Sequence, residues 1–194
     1  MSVQQSKLME FALYKVETPT LPFMDYGAII EEVKRIGAKT ALEFGPGYST
    51  LALIESGLDR IVTCEHDEEW FGKAKERFEE YPRVSVKRYE DVAPTAQLAG
   101  VVTDETFDLC FVDSPKGYNA QPGMPPGGRT IHPGQEDCSR LNTCLAALDR
   151  APIVLLHDAT RPLERATLGR LNAMGHKITF IPCRNGMARI ERHV

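Results

Sequence analysis

The sequence lacks a paired-cysteine motif, an excess of basic residues and a long apolar run. Its five cysteines are an odd number, and no two of them form a Cys-x-x-Cys pair, which favours a reducing compartment over a disulfide framework. A formal net charge of -4 argues against the basic surface that nucleic acids require. No apolar stretch approaches a membrane span, and no signal peptide is visible. We therefore expect a cytoplasmic protein that binds neither nucleic acid nor membrane.

The length and composition are those of one globular domain. The chain has 194 residues, of which 42% are hydrophobic and 26% charged, enough to build a sizeable core. We predict a single domain over residues 1–194, with residues 1–24 as an N-terminal helical extension or cap. Residues 114–135 are rich in proline and glycine and form a long irregular insert. Such an insert in a compact domain is usually functional or disordered, and we predict an active-site loop.

Short apolar runs alternate with segments of helical periodicity along the chain. Strands are predicted at 39–45, 60–66, 83–89, 107–113, 151–158, 176–182 and 186–193, and helices at 27–37, 49–58, 68–81, 138–148 and 162–175. In the helix at 68–81, Trp70, Ala74 and Phe78 share one face and are expected in the core. The alternation predicts an α/β fold, a doubly wound and mostly parallel sheet with helices on both faces. Only a few residues join the last two strands, so these two must be antiparallel.

Four of the predicted strands have a glycine or an acidic residue at their carboxyl end. Gly45, Glu65, Asp113 and Asp158 stand at these positions. In open α/β sheets, ligands bind beyond the carboxyl ends of the strands, near the point where the strand order reverses. The sequence therefore predicts a binding site at this edge of the sheet.

The stretch "ALEFGPGYST" at 41–50 indicates what the ligand is. Gly45 and Gly47 permit a tight turn and a close approach of the backbone, and the helix that follows favours an anionic group at its start. Glu43 would repel a pyrophosphate but suits a ligand with a cationic centre. Glu65 lies 20 residues after Gly45, where a ribose-binding acid is expected. S-adenosylmethionine (SAM) combines a sulfonium, an ammonium, a carboxylate and a ribose.

Four stretches together resemble the class I SAM-dependent methyltransferases. In chain order they are "LEFGPGYST", "VTCEHDEEW", "FDLCFVDSPKG" and "VLLHDATRP". The sequence is most similar to small bacterial members that methylate small molecules, over about residues 25–191. The resemblance implies a seven-stranded sheet of order 3-2-1-4-5-7-6 with strand seven antiparallel. It also implies an enzyme that transfers the methyl group of SAM to a small-molecule acceptor, through oxygen or nitrogen.

The resemblance also implies the site residues. The cofactor-binding residues are Glu43, Gly45, Gly47, Ser49, Glu65, His66, Glu90 and Asp91, and either Glu90 or Asp91 lies near the adenine amino group. The resemblance places Asp113 near the transferred methyl group. Because they stand at the same edge of the sheet, Asp113, His157 and Asp158 are the predicted catalytic residues, and Lys116 and His132 are further candidates for a general base. No "NPPY"-type stretch follows the fourth strand, which weakens the case for amino groups of nucleic acid bases as acceptors.

The main question that the resemblance leaves open is whether the site holds a metal ion. In the catechol-type O-methyltransferases, two acids and a following asparagine hold a divalent cation, whereas here Ala159 follows Asp158. Asp113 and Asp158 could still hold magnesium together with waters and substrate oxygens. We predict no resident metal, because one side-chain ligand is missing.

Two other functions remain open. An NAD(P)-dependent oxidoreductase shares the glycine loop and the ribose acid, but Glu43 and the absence of a third glycine in the loop count against it. A non-catalytic protein that binds SAM or a nucleoside is the other alternative. The expected partners are a small-molecule substrate and, as one option, a second copy of the chain.

Overall fold

The protein is described from a computed structural model, which covers residues 23–89, 105–113 and 140–193. Several predictions lie outside these residues. They are residues 1–22 of the predicted extension at 1–24, the loop at 114–135, the adenine-site candidates Glu90 and Asp91, and the candidate bases Lys116 and His132.

The described residues form five helices and seven strands, close to their predicted positions. In chain order they are α1 (Phe23–Ile36), β1 (Thr40–Phe44), α2 (Tyr48–Glu55), β2 (Arg60–Glu65), α3 (Glu68–Phe78), β3 (Val84–Arg88), β4 (Leu109–Val112), α4 (Leu141–Arg150), β5 (Ile153–His157), α5 (Pro162–Ala173), β6 (Lys177–Ile181) and β7 (Met187–Glu191).

The strands form one sheet in the order β3-β2-β1-β4-β5-β7-β6, which confirms the predicted topology. The pairs among β1 to β5 are parallel, and β7 is antiparallel to both β5 and β6. The short turn between β6 and β7 dictates this reversal. It closes on Gly186, whose φ of 70° is in the left-handed region that glycine occupies without strain.

Helices cover both faces of the sheet. Leu42 and Phe44 of β1 pack into the cluster that includes α4 and α5, whereas Ala41 packs into the cluster with α1, α2 and α3. Successive residues of a strand point to opposite faces, so Glu43 lies on the same face as Ala41. All four residues of β4 are buried, as expected of a central strand with two covered faces.

The packing of α3 differs from the prediction at one residue. Ala74 and Phe78 are buried, but Trp70 is 37% exposed, so its assignment to the core was wrong. Trp70 lies in the first turn of the helix, and the Lys73 ammonium lies 4.5 Å from its ring centroid. The cation–π contact covers part of a ring that the sheet does not reach.

The described cysteines are all free thiols. Cys64, Cys110 and Cys144 are buried, and Cys183 is half-buried just beyond β6. Within residues 23–89, 105–113 and 140–193, every helix is too short or too polar to cross a membrane.

Candidate functional site

The carboxyl ends of four parallel strands meet at one edge of the sheet. The backbone ladder continues one residue beyond the strands, because Gly45 N–H donates to Cys64 O (2.9 Å) and Asp113 N–H donates to Phe44 O (2.9 Å). Tyr89 N–H likewise donates to Glu65 O at 3.1 Å. The predicted glycine loop and the predicted acids after β2 and β4 therefore lie side by side.

A single threonine ties the glycine loop to the acid that precedes it. The Thr50 hydroxyl donates to Glu43 Oε2 at 2.6 Å and accepts from Gly47 N–H at 2.9 Å. Gly45 has a φ of 94°, which a side-chain-bearing residue adopts only with strain. Gly47 is the N-cap of α2, so the loop delivers the positive end of that helix to the site.

Glu43 is fully buried, and its environment favours the protonated form. Burial raises the pKa of this carboxyl to about 7, the Asp113 carboxylate adds to the shift, and the hydroxyls of Ser49, Thr50 and Thr63 oppose it. Among the described residues, Glu43 Oε1 and Thr63 Oγ1 nevertheless lack a hydrogen-bond partner of normal geometry. A cationic group bound nearby would favour the ionised carboxylate.

Glu65 has the opposite preference. Burial alone would raise its pKa, but hydrogen bonds from the His66 side chain and from backbone N–H groups outweigh burial and lower the pKa. His66 Nδ1 lies 2.8 Å from Glu65 Oε1, and the N–H groups of His66 and Asp67 donate to the same oxygen at 2.8 and 3.0 Å. All three contacts use Oε1, so this carboxylate is held ionised and in a fixed orientation.

His66 and Tyr89 form an aromatic wall beside Glu65. Their ring centroids are 5.7 Å apart, and the Tyr89 ring also meets Phe44 edge-on at 5.7 Å. Tyr89 is buried, and His66 is mostly buried by its contact with Glu65. His66, which the sequence predicts to bind the cofactor, therefore lies beside the predicted ribose acid.

The predicted catalytic residues form a second cluster at the same edge. Asp113, His157 and Asp158 each offer a ligating atom, and these atoms lie within 4.8 Å of one another. His157 Nδ1 lies 3.2 Å from Asp113 Oδ1 and 3.7 Å from Asp158 Oδ1. Because Asp113 N–H donates to the oxygen of Phe44, the residue after Glu43, the two clusters lie next to each other at this edge.

Asp25 of α1 completes the cluster, although no sequence pattern identifies it. Its Oδ2 lies 3.1 Å from His157 Nε2, so both ring nitrogens face carboxylates. Burial opposes a charge on His157, but Asp113, Asp25 and Asp158 outweigh it and raise the pKa of the imidazole to about 10. Burial would also raise the pKa of Asp25, and the bond to His157 helps to lower it. The pair is therefore an imidazolium and a carboxylate.

Arg140 is the second residue that the sequence does not identify. It immediately precedes α4 and is 1% exposed, which is rare for arginine. Its NH1 group donates to His157 O and its NH2 group donates to Asp113 O, both at 3.0 Å. The guanidinium also lies 3.7 Å from Glu164 Oε1 of α5. One buried cation thus joins the ends of β4 and β5.

Asp158 is held in an unusual backbone conformation. Its φ is 59°, which costs energy for any residue other than glycine, although aspartate tolerates it better than most. Burial raises the pKa of its carboxyl, against the charges of His157, Arg140 and Arg161. Arg161 NH1 lies 2.8 Å from Asp158 Oδ2.

The turn between β6 and β7 supports this strained position. Ala159 N–H donates to Gly186 O at 3.0 Å, and Thr160 N–H donates to Asn185 O at 3.3 Å. The Thr160 hydroxyl donates to the same Asn185 oxygen at 2.7 Å. Two segments far apart in the chain thereby fix the backbone just after the acid.

The comparisons with known proteins find similar solved structures. No family model and no curated protein matches the sequence. A Staphylococcus aureus protein provisionally named a caffeoyl-CoA O-methyltransferase is 15% identical with a TM-score of 0.66, over 99% of this chain and 93% of that one. A Bacillus cereus O-methyltransferase in complex with SAH is 16% identical with a TM-score of 0.64, over 99% and 92%.

A further similar structure carries a different name. It is a Pyrococcus horikoshii protein provisionally named an RNA methyltransferase, 14% identical with a TM-score of 0.64, over 97% of this chain and 99% of that one. At identities this low, the shared feature is the arrangement of the backbone. The chain has the class I methyltransferase fold.

Proposed function

We propose that this protein is a SAM-dependent methyltransferase that methylates a hydroxyl or amino group of a small molecule. One observation carries the proposal: two buried acids with opposite protonation preferences, Glu43 and Glu65, flank a glycine loop at the ligand edge of a class I methyltransferase fold. A ligand that carries both a cationic centre and a ribose suits this pair.

The residues of the loop would hold the methionine half of SAM. Gly45, Gly47 and Ser49, at the start of α2, would hold its carboxylate end, with Glu43 beside its cationic groups. Glu43 Oε1 is buried without a hydrogen-bond partner in the described part of the chain, and a nearby positive charge would compensate it. SAM would supply the methyl group from its sulfonium.

Glu65 and His66 would hold the ribose. An ionised carboxylate can accept hydrogen bonds from both ribose hydroxyls, and Oε1 is already fixed by three donors. Oε2 makes none of these three contacts. The position of Glu90 or Asp91 near the adenine amino group remains a prediction.

Asp113 is our candidate for contact with the acceptor. Its side chain is 35% exposed, whereas that of Asp158 is 4% exposed. A carboxylate there could orient the acceptor and receive the proton that it loses. His157, with a carboxylate at each ring nitrogen, would position Asp113, and Asp158 would contribute through the same cluster. Positioning alone can supply about 7–11 kcal/mol of rate enhancement.

The fold makes the oxidoreductase alternative weaker. The dinucleotide-binding fold has the strand order 3-2-1-4-5-6, whereas in this sheet an antiparallel β7 lies between β5 and the edge strand β6. Glu43 would also oppose a pyrophosphate at the loop. A non-catalytic SAM-binding protein would share the geometry, so turnover must separate it from an enzyme. A small-molecule acceptor, a cytoplasmic location and a second copy of the chain as partner remain predictions.

Methyl transfer from labelled SAM is the experiment that tests the proposal. Small-molecule fractions and total RNA should be offered as separate acceptors. We expect label in the small-molecule fraction, and its loss in an Asp113→Asn variant that still binds SAM. Label transferred only to RNA would contradict the acceptor class. Tight SAM binding without transfer to either fraction would favour the non-catalytic alternative.

A further inference from the structure

The carboxylates that end β4 and β5 have the arrangement of a divalent-cation site. Asp113, His157 and Asp158 bring one ligating atom each to within 4.8 Å of the others. Carboxylates at neighbouring strand ends are suitable oxygen ligands for magnesium or manganese. The question is whether the other residues at this place leave room for such an ion.

Arg140 occupies the space between the two carboxylates. Its NH2 nitrogen lies 3.3 Å from Asp113 Oδ1 and 3.5 Å from Asp158 Oδ2. A divalent ion within about 2.0–2.6 Å of both carboxylates would crowd this nitrogen and meet its like charge. The side chain is 1% exposed, so water cannot screen that repulsion.

The guanidinium cannot easily withdraw from this position. Its NH1 and NH2 groups donate to the backbone oxygens of His157 and Asp113, both at 3.0 Å, and Nε faces Glu164 Oε1 at 3.7 Å. A planar guanidinium with several fixed donors suits such simultaneous contacts. Moving it would break bonds to two strand ends and leave Glu164, itself 1% exposed, without this cation.

His157 does not fit a metal ligand either. A metal-bound histidine coordinates through a neutral ring nitrogen. Here Nδ1 and Nε2 lie 3.2 and 3.1 Å from the carboxylates of Asp113 and Asp25. Both ring nitrogens are therefore already engaged by carboxylates, and neither is left to coordinate an ion.

We infer that Arg140 is the resident cation of this site and takes the position that a divalent metal would otherwise occupy. Its buried guanidinium neutralises and fixes Asp113 and Asp158, whereas the Asp113 side chain is 35% exposed.

The inference rests on the proposed function only in what it says about the acceptor. A divalent ion would bind two neighbouring oxygens of a substrate. The guanidinium of Arg140 is buried and cannot contact a substrate oxygen. The acceptor would then meet Asp113 through a single nucleophilic group. A chelating pair of oxygens is therefore not required of the acceptor.

Manganese binding to the purified full chain tests this inference without any turnover. Electron paramagnetic resonance would measure free Mn²⁺ in titrations of the wild type, Arg140→Gln, Arg140→Lys and the double variant Arg140→Gln/Asp113→Asn. We expect no specific Mn²⁺ site in the wild type or in Arg140→Lys. Arg140→Gln should gain a site that binds Mn²⁺ at least tenfold more tightly than the wild type binds it non-specifically. The double variant should lose this site. Calorimetry of SAH with the same samples tests the proposed function separately.

Three results would overturn the inference. One is a stoichiometric Mn²⁺ site in the wild type that Asp158→Asn removes. Another is a folded Arg140→Gln variant, as judged by circular dichroism, that gains no site. If Arg140→Gln does not fold, the thermal midpoint of the wild type is measured instead. A midpoint that changes with neither Mn²⁺ nor a chelator supports the resident arginine. A midpoint that rises with Mn²⁺ is the third result that would contradict it.

Discussion

His157 Nδ1 lies 3.2 Å from Asp113 Oδ1, at the ends of two neighbouring parallel strands. The opposite nitrogen of the same ring lies 3.1 Å from Asp25 at the start of α1. One imidazole thus joins three elements, and each of its nitrogens faces an acceptor. A group held in this way is an anchor for Asp113 and a poor proton acceptor.

We predict that the imidazole of His157 stays doubly protonated at pH 8. The carboxylates around it outweigh burial and raise its pKa to about 10, so it should remain charged until the pH approaches that value. Long-range ¹H–¹⁵N NMR distinguishes the imidazolium from either neutral tautomer.

The control for this measurement is the Asp25→Asn variant. Removing one of the two carboxylates that face the ring nitrogens should lower the pKa of His157. The spectra of the remote His176 and His193 should not change. A neutral His157 tautomer at pH 8 in the wild type would show that the ring is available as a base after all.

Ligand binding should release a proton from Glu43. Burial raises the pKa of this carboxyl to about 7, so at pH 6 it is largely protonated. A cationic ligand favours the ionised form, and the affinity for SAM should therefore rise between about pH 5.5 and 7. Calorimetry in buffers of different ionisation enthalpy counts the released proton.

Glu43→Gln should abolish this proton release. Glu65→Gln is the matched control, because the pKa of Glu65 is lowered and this carboxyl is already ionised at pH 6. Equal proton release by Glu43→Gln and wild type would assign the titration to another group.

The ribose assignment of Glu65 predicts a specific coupling. A charge-assisted hydrogen bond contributes about 1.5–3 kcal/mol, so wild type should bind SAH about 10- to 150-fold more tightly than an analogue that lacks one ribose hydroxyl. Glu65→Ala should lose most of that difference, and the exposed Glu76→Ala should keep it. If folded Glu65→Ala binds SAH as wild type does, this residue is not part of the site.

Gly186 should tolerate substitution worse than another glycine with a similar φ. A Cβ at Gly186 would lie 2.6 Å from Thr160 Cγ2, whereas a Cβ at Gly57, whose φ is 84°, would meet nothing within 4 Å. Gly57→Ala should cost only the left-handed penalty of about 1–2 kcal/mol, and Gly186→Ala should cost more. Urea unfolding measures both free energies.

Thr160→Ser should recover part of the stability lost in Gly186→Ala. Serine keeps the hydroxyl that donates to Asn185 O and removes the methyl group that the new Cβ would meet. Equal costs for Gly186→Ala and Gly57→Ala would mean that the β6–β7 turn shifts freely, and would weaken its assigned role in supporting Asp158.

The sequence predicts most of the sheet edge because those residues follow their strands directly. Gly45, Glu65 and Asp113 each stand at or just after the end of an apolar run, and parallel strands bring such ends together whatever the side chains do. The antiparallel β7 could be predicted for a similar reason, since the connection is too short for a crossover.

Arg140, Asp25 and Trp70 could not be placed in this way. The positions of Arg140 and Asp25 result from tertiary packing: an acid in the first turn of a helix is explained by the helix dipole alone, and arginine is almost never fully buried. Trp70 lies on the apolar stripe of α3, but that stripe extends past the part of the helix that the sheet covers. Periodicity predicts which side of a helix is apolar, but it does not predict how much of that side the sheet covers.

The most direct test of the proposed function is the choice between two adenosine-containing ligands. Calorimetry should compare SAH with NAD⁺ on the full chain at pH 7.5. The proposed function predicts one SAH per chain, bound at least tenfold more tightly than NAD⁺. Binding of NAD⁺ with no measurable binding of SAH would contradict it.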